Sequence, residues 1–216
     1  LYEATFLPDS VRNPAMYAAG FAFLLLLLTF GGWQTGEHPL AIFADLYVDL
    51  IRGIPMLVVI LFIGFVLPPA LREATGGRMD IRSDLARGVM AIALGYAAYM
   101  AEIFRAGIEA IPKGQFEASK ALGLNGWQMA RYVVLPQAIT IVLPPLGNEF
   151  IAMLKDTALL SVIGVGDVTR KAREFGASTL NLFPPYNTAA MIYVVLTLTA
   201  SSMLSWLERR SKVGRT

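Results

Sequence analysis

Several groups of polar side chains in this chain have the type and spacing to do chemistry. Glu102 and Arg105 stand three residues apart, so on a helix they share a face and can pair. Glu149 follows Pro144, Pro145 and Gly147 in an otherwise apolar run, and Lys155, Asp156 and Thr157 are consecutive a little further on. Between residues 114 and 136, GQFEASKALGLNGWQMARYVVLP carries Glu117, Lys120, Asn125, Gln128 and Arg131, with two glycines in its middle. Such groups suit ion pairing, docking and the binding of a charged or zwitterionic solute. They do not suit bond cleavage. The chain has no cysteine and a single histidine, His38, which leaves no disulfide, no thiolate or imidazole zinc site and no Ser-His-Asp arrangement.

The elements that must position these groups are membrane helices. The sequence is 56% hydrophobic and 16% charged, against about 25% charged residues in ordinary soluble domains. Its mean hydropathy is +0.56, and the apolar residues fall in long runs, as a bilayer requires. A net charge of +2, scattered along the chain, gives no nucleic-acid footprint.

Five segments are predicted to span, at 15–32, 54–71, 85–108, 133–154 and 188–207. The Leu-rich run of the first is preceded by Glu3, Asp9 and Arg12 rather than a basic leader, so it reads as a span and not as a signal peptide. The first and last have the composition of helices facing lipid on every side. The middle ones carry Gly, Ala, Pro and charges, as helices packed on one another or lining a path do. Arg209, Arg210, Lys212 and Arg215 after the last span suggest a cytoplasmic C-terminus, against which stand Arg72, Arg78, Arg82 and Arg87 in the 72–87 loop and three more basic residues at 169–174. The 33–52 and 109–132 loops are then cytoplasmic as well. The 170–186 stretch reads as a polar loop with a short helix. By domain, residues 1–40 form an N-terminal segment with the first span, 41–210 the main transmembrane unit and 211–216 a basic cytoplasmic tail.

The polar stretch reads as helix, corner, helix. Pro112 can begin a helix, and Gly123 can end one in the left-handed conformation. Asn125 with Gln128 three residues later reads as the cap of a second helix running into Pro136. Ala118, Ala121 and Leu122 give the first piece a small apolar face, away from Glu117 and Lys120. A helix this short is marginal alone, so the element is predicted to dock onto a partner.

Its spacing resembles the signature loop of ABC-importer permeases: Glu-Ala-Ala, three residues, Gly, nine residues, Ile, one residue, Leu-Pro. Glu117, Ala118, Gly123, Leu135 and Pro136 match it, with Ser119 in place of Ala and Val133 in place of Ile. YVDLIRGIPMLVV (47–59), AAYMAEIFRAGIEAIPKGQFEASKALGL (97–124), LPQAITIVLPPLGNEFI (135–151) and KDTALLSVIGVGD (155–167) resemble the branch that takes up histidine, glutamine and glutamate. The resemblance implies an all-α, polytopic permease of the type I importer fold in a bacterial inner membrane. It implies a coupling helix in which Glu117, Ala118, Ser119, Gly123 and Leu124 meet a separate ATPase subunit, which holds ATP and Mg. No GxxxxGK[ST] phosphate loop occurs here, and none is needed on that reading. A second permease chain, identical or paralogous, and an extracytoplasmic binding protein would complete the assembly.

Each candidate path residue carries two readings. Glu102 and Arg105 are an ion pair that holds helix geometry, or part of the path. Glu149 pairs with Lys155, or contacts substrate, since an isolated charge in a span costs about 3 kcal/mol. Lys155, Asp156 and Thr157 form a turn capped by Asp156, or belong to the path. Arg52, before Gly53, Ile54 and Pro55, sits at the headgroup boundary at the start of the second span. A self-sufficient secondary transporter or channel is the competing function, and an inverted repeat that would favour it is not visible.

Overall fold

The computed structural model describes residues 39–213, with side chains placed from 41 to 209. Among the described residues every regular element is helical. The chain divides between Leu50 and Ile51 into two units. The described part of the first is the start of helix α1 (Pro39–Gly53). The stretch expected to be a loop over 33–52 is therefore helical from Pro39 onward. Its apolar residues recur at helical spacing, and no Gly or further Pro interrupts it before Gly53. The expected span at 15–32 lies outside the described residues.

In the second unit, α2 (Met56–Leu61), a π turn (Phe62–Val66) and α3 (Leu67–Ala74) follow one another without a break. Then come α4 (Asp84–Glu109), α5 (Lys113–Ala121) and α6 (Gly126–Met129). A second π turn (Ala130–Val134) leads into α7 (Leu135–Asp156) and a 3-10 segment (Thr157–Ile163), followed by α8 (Val168–Thr179) and α9 (Phe183–Val213). Among the described residues, four stretches are long and apolar enough to cross a membrane: Met56–Ala74, Asp84–Glu109, Gly126–Ile163 and Phe183–Arg209. They coincide with the second to fifth predicted spans.

Both π turns have the same sequence cause. Leu67 donates to the carbonyl of Phe62 and Leu135 to that of Ala130, each five residues back, and each is followed at once by proline. A proline ring crowds the carbonyl four residues earlier and has no N–H to give it. Widening the preceding turn by one residue relieves that clash while keeping the helix continuous.

The helices approach closely at glycines. A side chain at Gly64 would meet Ile163, at Gly95 Met56, at Gly107 Val142 and at Gly147 Leu204. These are the small-residue crossings expected where lipid offers no hydrophobic drive to association. Val59, Ile60 and Ile63, with Ala91 of α4 and Leu160 and Ile163 of the 3-10 segment, form the buried cluster they admit.

Two expectations are corrected. The 170–186 stretch is mostly helix. Asp167 caps α8 by accepting from the Arg170 N–H at 2.8 Å, and Glu174 takes ion pairs from Arg170 (2.8 Å) and Lys171 (2.9 Å) on its exposed side. Ala172 and Gly176, four apart, form its buried seam. Nor does the last span face lipid on every side. Ala189 is buried, Tyr193 bonds to the start of α8, and Leu204 fits against Gly147. The basic tail expected from 211 begins as a continuation of α9, which runs to Val213.

Candidate functional site: a coupling corner and a carboxylate face on α7

The polar stretch folds as its residues foretell, and the corner is built from backbone bonds. Leu124 donates to the Ser119 carbonyl at 3.1 Å and Gly123 to the Lys120 carbonyl at 2.9 Å. This nested pair closes α5, and it requires a left-handed residue at Gly123, whose φ is 73°. Immediately afterwards Asn125 accepts from the Gln128 N–H at 2.9 Å, and the Gln128 side chain accepts from the Asn125 N–H at 3.0 Å. The reciprocal box starts α6. Two helix ends are therefore satisfied within a few residues, which fixes the angle between them.

The corner is held from inside and open outside. Ile111 and Ser119 are buried; the Ser119 hydroxyl donates to the Gln115 carbonyl at 2.6 Å, so this serine sits where the family pattern has alanine without an unmet polar atom. Gln115 and Gln137 lie 3.5 Å apart, tying α5 to α7. Glu117, Ala118, Lys120, Ala121 and Gly123 are exposed and Leu124 is half-buried. Leu122 is 79% and Trp127 73% exposed, so the apolar face read from Ala118, Ala121 and Leu122 is presented outward.

The second group lies along α7. Glu149 and Asp156 are seven residues apart, about two turns, and so share a side of the helix. Asp156 does not cap the following turn, contrary to expectation. Its Oδ2 instead accepts from the Tyr96 hydroxyl of α4 at 2.8 Å. The Asp156 backbone is helical at φ -69° and ψ -19°, which rules out an N-cap, and the buried phenol takes the carboxylate as its acceptor. Glu149 is half-buried, and among the described residues it makes no hydrogen bond or ion pair. The expected pairing of Glu149 with Lys155 is absent, and Lys155 is exposed. Thr157 turns its hydroxyl to the Leu154 carbonyl at 2.7 Å. Pro144 and Pro145 leave the carbonyls of Thr140 and Ile141 without their usual donors four residues on. Gly147 seats Leu204.

Glu102 and Arg105 do pair, at 2.5 Å, and Arg52 approaches the same carboxylate oxygen at 3.6 Å. One carboxylate thus ties the end of α1 to α4. Sequence reading missed Tyr96, whose phenol stands in a run of small residues, GYAAYMAE, where a lone polar tip signals a buried acceptor nearby. It also missed Tyr193, which donates to Asp167 at 3.2 Å and accepts from the Thr169 hydroxyl at 3.3 Å. Arg173, which donates to the carbonyl of buried Ser161 at 3.0 Å, was missed too.

Residues 28–213 match the family described as "Binding-protein-dependent transport system inner membrane component". The chain belongs to this family, and it is a multi-pass inner-membrane permease with the type I importer fold. It is 40% identical over 196 residues to the glutamine transport system permease protein GlnP of Escherichia coli K12, covering 90% of this chain and 82% of that protein. It is 34% identical to the histidine/lysine/arginine/ornithine transport system permease protein HisQ of the same strain, over 93% of this chain and 89% of that one. A solved chain described as "Crystal structure of an amino acid ABC transporter with histidines" superposes with a TM-score of 0.72 and 42% identity, covering 87% of this chain and 82% of that chain. The MetNI methionine ABC transporter, at 22% identity over 77% of this chain and 73% of that one, shares the fold with a TM-score of 0.62.

Proposed function

We propose that this permease forms the translocation path of an ATP-driven importer of polar amino acids, basic ones included. Hydrolysis takes place on separate ATPase subunits, which hold ATP and Mg, while a second permease chain, identical or paralogous, and an extracytoplasmic binding protein complete the assembly. The coupling corner carries this reading. Two interlocked helix ends hold α5 at a fixed angle, with Glu117, Ala118, Leu122 and Trp127 turned outward. A nucleotide-driven closure of the ATPase would move such a rigid element as a body, and α4 and α7 with it. The carboxylates of Glu149 and Asp156, with the carbonyls released by Pro144 and Pro145, suit an ammonium or guanidinium group in transit. The relatives' names point to the same class of solute: glutamine for one, and histidine, lysine, arginine and ornithine for another.

The test is reconstitution with the ATPase and binding protein, with hydrolysis measured against arginine, glutamine and glutamate. Stimulation by arginine or glutamine, with the isolated chain binding no ATP, is expected. Solute uptake by the chain alone, driven by an ion gradient, would replace the reading with secondary transport.

A further inference from the structure

Tyr96 is 4% exposed, in the middle of a spanning helix, and gives its one hydroxyl proton to Asp156 across the α4–α7 contact. That donor is committed to one carboxylate. Asp156 Oδ2 is occupied, whereas Asp156 Oδ1 and both oxygens of Glu149 receive no hydrogen bond among the described residues. Arginine and lysine do not help here: Lys155 is exposed and has no ion pair among the described residues, and the Arg52–Glu102–Arg105 cluster has its own carboxylate.

Asp156 has helical backbone angles where α7 runs on into the 3-10 segment, so no local cap competes for its side chain. Tyr96 is the group that fixes its rotamer. A hydrogen bond to a charged acceptor is among the stronger kinds, and holding a binding group in one rotamer removes an entropy loss that the ligand would otherwise meet.

We propose that Tyr96 is the positioning residue of the substrate path: it holds Asp156 in the rotamer that leaves Oδ1, together with Glu149, open to the cationic group of the solute. This rests on the reading of Glu149 and Asp156 as path residues. It adds that specificity depends on a phenol that need not touch substrate.

The experiment measures binding of labelled arginine and glutamine to the permease–ATPase complex in lipid nanodiscs, without binding protein. Tyr96→Phe, Asp156→Ala, the double variant of these two and Glu149→Gln are compared with wild type, with co-purification of the ATPase as the check on assembly. Tyr96→Phe is expected to weaken arginine binding about tenfold. The double variant is expected to bind no more weakly than Asp156→Ala alone, because the phenol acts through that carboxylate. Unchanged arginine binding in Tyr96→Phe, or losses that multiply in the double variant, would overturn the proposal while leaving the path intact. Unchanged binding in both Asp156→Ala and Glu149→Gln would instead overturn the path itself. If Tyr96→Phe does not assemble, a ring-fluorinated tyrosine at position 96 keeps the shape and makes the hydroxyl a stronger donor. It is expected to tighten arginine binding about twofold, and no change would overturn the proposal.

Discussion

Asn125 and Gln128 exchange hydrogen bonds: each side chain accepts from the other's backbone N–H, at 2.9 and 3.0 Å. The pair sets the start of α6 against the end of α5, and so sets the direction in which the exposed loop points. Removing the cap side chain of such a box costs about 0.5–2 kcal/mol. Asn125→Ala is therefore expected to loosen the corner without preventing insertion of the spans. The measurement is the ratio of solute transported to ATP hydrolysed in the reconstituted complex. That ratio should fall in Asn125→Ala and recover in Asn125→Ser, which can still cap. An unchanged ratio in Asn125→Ala would show that the corner's angle does not matter.

Gly123→Val is a harsher test of the same element. At φ 73° a β-branched side chain is strongly disfavoured, and a left-handed residue with a Cβ costs about 1–2 kcal/mol. Nothing else stands in the way, since a Cβ at Gly123 would meet no atom within 4 Å. Within this chain the effect is thus conformational. Uptake is expected to fall at least tenfold while membrane insertion stays normal, because the α5 closure would have to re-form without its two nested bonds. Wild-type uptake by this variant would refute docking through a fixed corner.

Glu149→Gln removes a charge and keeps the shape. Uptake of arginine and lysine is expected to fall more than uptake of glutamine, and any uptake of glutamate to be unaffected or raised. Losing one charge contact to a cationic solute is worth about tenfold or more. An equal loss for basic, neutral and acidic amino acids would make Glu149 a structural group.

A pH effect is expected at α8. Hydrogen bonds from Arg170 first, then Lys171, hold the Glu174 carboxyl below its ordinary value. A depressed carboxylate stabilises the fold fully above its unfolded-state value and loses that contribution as pH falls through the lower folded-state value. Both values lie at or below the ordinary 4.5. The melting-temperature difference between wild type and Glu174→Gln should therefore be flat from roughly pH 6 to 8 and shrink below about pH 4.5. Because the group is exposed, the difference itself should be small. A difference that changes between pH 6 and 8 would contradict this assignment.

The sequence by itself determined what depends on neighbours a few residues apart. Four spans follow from apolar length; the corner follows from Gly123 and the Asn125–Gln128 spacing, since caps and left-handed turns are local bonds. The Glu102–Arg105 pair follows from the helical period. Tertiary structure decided which polar groups meet across helices. Asp156 looked like a local cap and became an acceptor for Tyr96, 60 residues away. Gly147 gave no local sign of its neighbour and became the seat of Leu204. The polar stretch after 170 read as a loop with a short helix, because the full length of α8 is sustained by a seam at Ala172 and Gly176 that only packing can reveal. Local periodicity fixes where a helix runs and which residues share its face. Which face meets which neighbour depends on close approaches between distant segments, and those have no period to read.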